Sequence, residues 1–247
     1  FYFSQASIGF YALGMRLLVM PINLIGNSIG EVFFQRISKD NTNSAHFIEN
    51  IFKYLVLFAI PVFSFLGLLG EDIFSLFFGK DWSEAGVFSQ ILCLLIFTKF
   101  ITIPANYLML IHEKQEYSIL LNLCTLTVSS VSLIIGGIFN NIYLSFTLYS
   151  VSNSIVYAVY GFGFMKYSGL ALNKMFNLLS QAFFKCLPLV LALIVVKTYV
   201  NNNLIMLVIV SIFLLCLFYI LLALLTPEIN FLYKSLYLKL KNKFFNQ

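Results

Sequence analysis

Two cationic side chains lie inside long apolar stretches of this sequence, where a charge is rare and could bind an anion. Arg16 stands in "GMRLLVMP", and Lys99 stands in "FTKFITIPANY", near the middle of its apolar run. A charge inside a membrane span is costly, so such residues normally face protein or a water-filled cavity. Both cations are therefore candidates for contact with an anionic substrate. Lys99 could instead pair with a carboxylate that carries a coupling ion.

A polar stripe accompanies Arg16 along its apolar run. Asn23, Asn27 and Glu31 follow at seven, eleven and fifteen residues, and a helix would place all four side chains on one narrow face. A polar stripe on a spanning helix predicts the wall of a hydrated cavity. The alternative is that Arg16 extends to the outer interface while the asparagines bond neighbouring helices.

Lys99 has a polar companion within its own run. Asn106 follows seven residues later on the same helical face, and Pro104 between them should kink the helix. A purely structural ion pair would need an acidic partner, but the sequence offers no Asp or Glu at mid-membrane depth. We therefore predict that Lys99 and Asn106 face a substrate or a cavity.

A third polar group recurs at three- and four-residue spacing in a later run and consists of Ser150, Asn153, Ser154 and Tyr157. These side chains could hydrogen-bond sugars or could bond neighbouring helices, and the sequence favours neither interpretation. The candidate substrate-binding residues are thus Arg16, Asn23, Asn27, Lys99, Asn106 and Asn153.

Other kinds of chemistry find no support in the sequence. There is no Ser/His/Asp set, no glycine-rich phosphate loop and no paired carboxylates at depth, so no enzyme is expected. The four cysteines are far apart in apolar stretches, without a CxxC motif or a nearby histidine. Neither a metal, a disulfide nor a cofactor is therefore predicted. The lysines form no basic stripe, which argues against nucleic-acid binding.

The composition indicates that these residues are carried by membrane-spanning helices. Of the 247 residues, 60% are hydrophobic and 10% are charged, against about 25% charged in soluble domains, and the mean hydropathy is +0.92. A spanning helix needs about 20 mostly apolar residues. Seven runs qualify, the sixth most weakly: Gly9–Phe34, Ile51–Phe78, Val87–Ile111, Tyr117–Phe139, Ile142–Met165, Leu178–Val200 and Leu204–Leu225. We predict an all-α polytopic bundle, since the runs are too long for barrel strands and lack alternation.

Charge asymmetry predicts the orientation of the seven spans, because Lys and Arg are enriched in cytoplasmic loops. Most cations fall on the same side as the basic C-terminal tail, and only Lys80 and Lys197 fall on the other side. Phe1 is therefore expected outside and Gln247 inside. Loss of one span would scramble this alternation, so the asymmetry also favours seven spans.

Two stretches resemble the C-terminal lobe of polysaccharide flippases in the multidrug/oligosaccharidyl-lipid/polysaccharide exporter superfamily. "IGFYALGMRLLVMPINLIGNSIGEVFFQRIS" is similar to the first helices of that lobe, although the family's exit proline is missing from "FFQRIS". "LFFGKDWSEAGVFSQIL" is similar to the family's tryptophan joint. The matching positions are Gly9, Tyr11, Pro21 and Ser38 in the first stretch and Gly79, Trp82, Ala85 and Gly86 in the second.

The resemblance implies one lobe, residues 1–165, of a two-lobe alternating-access transporter, with additional helices in residues 166–247 and the other lobe outside this sequence. It implies a flippase of the bacterial cytoplasmic (inner) membrane. Such a flippase carries an undecaprenyl-pyrophosphate-linked oligosaccharide, the repeat unit of O-antigen, capsule or exopolysaccharide, from the inner to the outer leaflet. The family's cavity is typically cationic, a role that Arg16 and Lys99 would fill. Expected partners are the lipid-linked substrate, membrane lipid, and a polysaccharide polymerase with other assembly proteins.

Two other functions stay open beside this one. A multidrug or cation antiporter of the same superfamily usually needs membrane-embedded carboxylates, and the sequence places none at mid-depth. A polytopic polysaccharide polymerase or ligase places its working residues in a large outer loop. The longest expected outer joint here is the short "GKDWSEAG".

Overall fold

The apolar runs form helices, because a chain in hydrocarbon must satisfy every backbone hydrogen bond within the segment. The computed structural model describes residues 4–39, 44–200 and 203–225, which contain no strand. The α-helices of this part are α1 (Gln5–Pro21), α2 (Asn27–Lys39), α3 (Ser44–Phe78), α4 (Ser83–Ile101), α5 (Ile103–Ile111), α6 (Gln115–Ile138), α7 (Ile142–Tyr167), α8 (Leu172–Tyr199) and α9 (Leu204–Leu225). A π-helical turn, Ile22–Gly26, joins α1 to α2, and a 3₁₀ turn, Lys80–Trp82, precedes α4.

The prediction of an all-α bundle with seven spans is confirmed. Seven helical segments within the described ranges are long and apolar enough to cross a membrane: Gln5–Ile37, Ala45–Phe78, Lys80–Ile111, Gln115–Ile138, Ile142–Tyr167, Leu172–Tyr199 and Leu204–Leu224. The sixth span, which the sequence supported most weakly, extends over 28 residues as α8. The first and third spans each contain two α-helices and a break between them.

The two breaks lie beside prolines, as the kink predicted at Pro104 required. Pro21 ends α1, and the chain widens into the π turn before α2 begins. In the third span, α4 ends and α5 begins on either side of Thr102, two residues before Pro104. A proline nitrogen cannot donate to the carbonyl four residues earlier, so the regular hydrogen-bond ladder stops at these points.

Helices α3 and α4 pack closely where α4 begins and α3 nears its end, and glycines make this contact possible. A Cβ atom added at Gly86 would lie 2.5 Å from the Cα atom of Glu71 and 2.5 Å from the carbonyl oxygen of Gly70. The core around this pair includes the fully buried rings of Phe52, Phe74, Phe88 and Phe100. Helix association in a membrane depends on such close van der Waals contact between small residues.

Two small residues that follow Trp82, Ala85 and Gly86, allow close contacts with neighbouring helices. Ala85 is fully buried, and its carbonyl oxygen would lie 3.0 Å from a Cβ atom added at Gly14 of α1. Gly86 meets α3 on another side of the same turn. The ring of Trp82 contacts the ring of Phe10 edge-on at 5.6 Å between centroids. The joint therefore holds α1, α3 and α4 together at one end of the bundle.

An ion pair joins α3 to α8 at the same end of the bundle. The Lys197 Nζ atom lies 3.1 Å from Asp72 Oδ2, outside hydrogen-bond geometry, and donates to the Leu68 carbonyl at 2.7 Å. The Gln90 amide of α4 donates to the same carbonyl at 3.2 Å. Lys197 therefore faces protein, and its ammonium joins the spans at their outer end in the predicted orientation.

We predict the membrane orientation as a labelling pattern. With the native cysteines replaced, a cysteine at Asn141 in the full chain should react with a membrane-impermeant maleimide in intact cells. A cysteine at Glu113 should react only after the membrane is permeabilised, because positive loops stay in the cytoplasm. Both positions are exposed in joints at opposite ends of α6. The reverse pattern would contradict the orientation.

Candidate functional site

The members of the polar stripe predicted on the first span are divided among α1, the π turn and α2. Arg16, Asn23 and Glu31 are exposed, whereas Gly14 and Leu18 on the other side of α1 are buried. The side chain of Asn27 lies outside the described part of the structure. Arg16 forms no ion pair or hydrogen bond with any residue that the structure describes.

Lys99 lies half-buried between α4 and α7. Its Nζ atom stands 4.8 Å from the centre of the Tyr157 ring, and it forms no ion pair with a carboxylate of the described ranges. A cation over an aromatic face is stabilised by about 0.5–2 kcal/mol. The negative face of the ring compensates the charge only in part. The ion-pair alternative considered for Lys99 thus has no acidic partner among the described residues.

The helix break next to Lys99 fixes the position of this lysine. The Thr102 hydroxyl donates to the carbonyl oxygens of Thr98 at 2.8 Å and of Lys99 at 3.2 Å. Helix α7 lies directly against this point, because a Cβ atom added at Gly161 would be 2.3 Å from Thr102 Cγ2. The cation therefore sits on the last turn of α4, at the level where the third span changes direction.

The two cations lie at different levels along parallel helices. A Cβ atom at Gly26 would lie 2.3 Å from Ile103 Cδ1, and one at Gly30 would lie 2.0 Å from Tyr107 Cε2. In both contacts the residue of the third span is 77 positions later in the sequence than the residue of the first span. By this offset, Lys99 lies at the same height along the bundle as residue 22. At 1.5 Å per residue, Arg16 is about 9 Å nearer the N-terminal end of the first span.

The two remaining asparagine candidates differ in their surroundings. Asn106 is exposed on α5 and makes no hydrogen bond through its side chain to the described residues. Asn153 is buried in the contact between α6 and α7. There Asn153 Oδ1 accepts from the Ser129 hydroxyl at 3.3 Å, and Nδ2 donates to the Tyr149 carbonyl at 2.9 Å.

The placement of Asn153 corrects its selection as a lining residue. The position of Asn153 agrees with the alternative interpretation of the polar group on α7, in which amides and hydroxyls form hydrogen bonds between neighbouring helices. The hydroxyls of Ser132 and Ser152 meet at 3.1 Å in the same interface. A Cβ atom at Gly136 would overlap the Ser145 side chain there. These groups hold α6 against α7 and leave no polar atom of Asn153 free for a ligand.

One contributor to this site was not evident from the sequence: the aromatic ring of Tyr157 beneath Lys99. Tyr157 was noted only as part of a polar spacing, because it lies on a different span from Lys99, 58 residues later. No pattern within one helix links the two residues. Within the described ranges no cluster of His, Cys, Asp or Glu side chains could hold a metal ion.

The seven apolar helical segments define a class of protein: a polytopic, multi-pass membrane protein. A solved structure of the lipid II flippase MurJ in its inward closed conformation shares this fold, with a TM-score of 0.71 and 14% identity. That match covers 90% of this chain and 48% of the flippase chain.

Sequence comparisons give two further matches. A family described as polysaccharide biosynthesis protein matches residues 1–87. An uncharacterized membrane protein in the cps region of Klebsiella pneumoniae is 25% identical over 203 residues, which are 79% of this chain and 41% of that relative. The chain thus spans less than half the length of either relative. The match to a polysaccharide biosynthesis family and the fold shared with a flippase agree with the resemblance described from the sequence.

Proposed function

We propose that the protein containing this chain is a flippase of the bacterial cytoplasmic membrane. Its substrate would be an undecaprenyl-pyrophosphate-linked oligosaccharide, the repeat unit of O-antigen, capsule or exopolysaccharide, and transport would run from the inner to the outer leaflet. The observation that carries the proposal is the half-buried Lys99, a mid-span cation without an acidic partner among the described residues. The flippase fold and the match to polysaccharide biosynthesis proteins support it.

The anionic part of this substrate suits the two cations. At 4 Å, a phosphate oxygen and an ammonium attract by about 1 kcal/mol in water and about 4 kcal/mol near a protein surface. Because Arg16 and Lys99 lie at successive levels, the pyrophosphate and any acidic sugar would meet one cation after the other along the membrane normal. Asn23 and Asn106 are exposed on the same two spans and would hydrogen-bond sugar hydroxyls. Asn27 would extend the stripe.

The remaining parts of the proposal concern organisation and partners. Residues 1–165 would form the C-terminal lobe proper, and α8 and α9 in residues 166–247 would be additional helices. The protein would act as a transporter without catalysis and would hand its product to a polysaccharide polymerase and other assembly proteins. A cation antiporter would need an embedded carboxylate free to exchange its cation, whereas Asp72 of α3 is paired with Lys197.

Deletion of the complete gene tests this function. Surface polysaccharide should disappear, and lipid-linked single repeat units should accumulate on the cytoplasmic side, where an added membrane-impermeant glycosidase cannot reach them in intact cells. The full-length gene should restore the surface polymer. Accumulation of single repeat units in the outer leaflet would point to a polymerase instead, and unchanged surface polysaccharide would overturn the proposal.

A further inference from the structure

A groove of about 390 Å³ opens between α6 and α7, away from the two cations. It lies where α6 begins and α7 ends, beside the turn that follows α5. Its walls include Lys114, Tyr117, Tyr160, Gly163, Phe164 and Tyr167. Gly163 leaves room in the groove, since a Cβ atom added there would have no neighbour within 4 Å.

Aromatic rings form one side of this groove. The Tyr117 ring contacts the rings of Tyr160 and Phe164 at centroid distances of 6.3 Å and 5.9 Å, and Phe164 contacts Tyr167 at 5.6 Å. The Tyr160 hydroxyl donates to the Tyr117 backbone carbonyl, which fixes α7 against the first turn of α6. Aromatic faces carry negative charge density and attract ammonium groups.

Opposite charges stand together at the rim of the groove. Lys114 Nζ lies 3.7 Å from Glu116 Oε1, and the two side chains are 43% and 63% exposed. A pair this long and this exposed is weak, so each charge remains accessible to a ligand. Glu113 and Lys166 are exposed nearby, and the ring of His112 contacts those of Phe164 and Tyr167.

The groove lies where a lipid headgroup would meet a spanning bundle. Exposed apolar side chains continue from it along both helices: Ile119, Leu123 and Leu126 on α6, and Ile155 and Val159 on α7. In a membrane these faces contact acyl chains. The groove at the helix ends is then level with the headgroups, where tyrosines and lysines concentrate.

We propose that this groove binds a phospholipid with a zwitterionic phosphoethanolamine headgroup. The phosphate would contact Lys114 Nζ, the primary ammonium would lie between Glu116 and the tyrosine rings, and the acyl chains would follow the apolar faces of α6 and α7. Charge complementarity selects a zwitterionic headgroup, because an anionic headgroup would pair with Lys114 but leave the Glu116 carboxylate without a partner. A primary ammonium, unlike the quaternary ammonium of phosphocholine, can also donate hydrogen bonds to that carboxylate.

Lipid counting on the full-length protein tests the site without any transport substrate. The protein is placed in nanodiscs containing equal amounts of phosphatidylethanolamine, phosphatidylglycerol and phosphatidylcholine. It is then extracted in mild detergent, and the lipids retained are counted by mass spectrometry. We expect phosphatidylethanolamine to be enriched roughly fivefold over phosphatidylglycerol, the size of effect that exposed charge contacts give.

Variants at the rim make the test specific. Lys114→Gln should remove the enrichment, and Lys114→Arg should keep it. Glu116→Gln should shift the preference toward phosphatidylglycerol, since the carboxylate beside Lys114 is removed. Lys185→Gln is the matched control, because Lys185 is exposed on α8 and the groove lies between α6 and α7. Preference of the wild type for phosphatidylglycerol, or equal lipid retention by wild type and a monodisperse Lys114→Gln variant, would overturn the proposal. Either result would leave the flippase function untouched.

Discussion

If the protein acts as the proposed flippase, cells in which it carries Lys99→Ala should lose most of their surface polysaccharide while keeping normal amounts of the protein in the membrane. The lysine contacts an aromatic ring and no carboxylate of the described ranges, so its removal strands no buried countercharge. Under the proposed function, the change removes one contact with the substrate pyrophosphate. Loss of about 1.4 kcal/mol slows transport tenfold, and the attraction at stake is about 1–4 kcal/mol.

Matched variants separate charge from shape at this position. Lys99→Arg should retain much of the activity, because a guanidinium keeps the charge and also stacks on the Tyr157 ring. Arg16→Ala should show the same defect as Lys99→Ala, since Arg16 also lacks a partner in the described structure. Lys185→Ala, an exposed lysine on α8, is the control and should complement fully. The measurement is surface polysaccharide in a strain lacking its own flippase, beside a blot of the membrane fraction. Full complementation by the double variant Arg16→Ala/Lys99→Ala would contradict the cationic-cavity hypothesis.

Gly86→Leu should remove the protein from the membrane almost completely. The new side chain would begin 2.5 Å from backbone atoms of Glu71 and Gly70, and these cannot move unless α3 separates from α4. Overpacking of a well-packed interior lowers the free energy of unfolding by about 1–3 kcal/mol. We expect a loss at the upper end of this range, because the new side chain clashes with backbone atoms. Because folded proteins are only marginally stable, such a loss should be visible as degradation.

Gly9→Leu provides the comparison for this second change. Gly9 is also a helical glycine, but a Cβ atom added there would have no neighbour within 4 Å, so the variant should accumulate normally. The readout is fluorescence-detected size exclusion of a tagged full-length protein. A monodisperse peak of normal height for Gly86→Leu would show that the α3–α4 contact is looser than described.

The spans and the break beside Pro104 were accessible to sequence reasoning, because both follow from the chain's own chemistry, whereas the break after Pro21 was not predicted. A run of about twenty apolar residues is long enough to span a membrane. Pro104 has no backbone N–H, so it removes one hydrogen bond from the helix. Pro61 and Pro188 are a different case, since α3 and α8 continue through them as uninterrupted helices. Neighbouring helices and side chains can satisfy the freed backbone groups in a membrane protein, so proline alone does not locate a break.

The surroundings of individual polar residues could be predicted less well. Asn153 and Asn106 are the same amide in similar apolar runs, yet one is buried against Ser129 and the other is exposed. The difference arises from which helix lies opposite, and that depends on contacts between residues far apart in sequence. The exposure of Arg16, Asn23 and Glu31 was easier to anticipate, because they recur at helical spacing within one span. They are nevertheless divided among α1, the π turn and α2.

The contacts of Gly26 with Ile103 and of Gly30 with Tyr107 bear on how such proteins can be recombined. The side chains of Ile103 and Tyr107 occupy the spaces left by the missing side chains of Gly26 and Gly30. Both pairs are four residues apart, so the first and third spans are complementary in shape at two positions. A chimera that takes its first span from a relative must therefore take α5 with it. A bulky residue at position 26 or 30 needs a smaller one at position 103 or 107, and we expect the two segments to be inherited together.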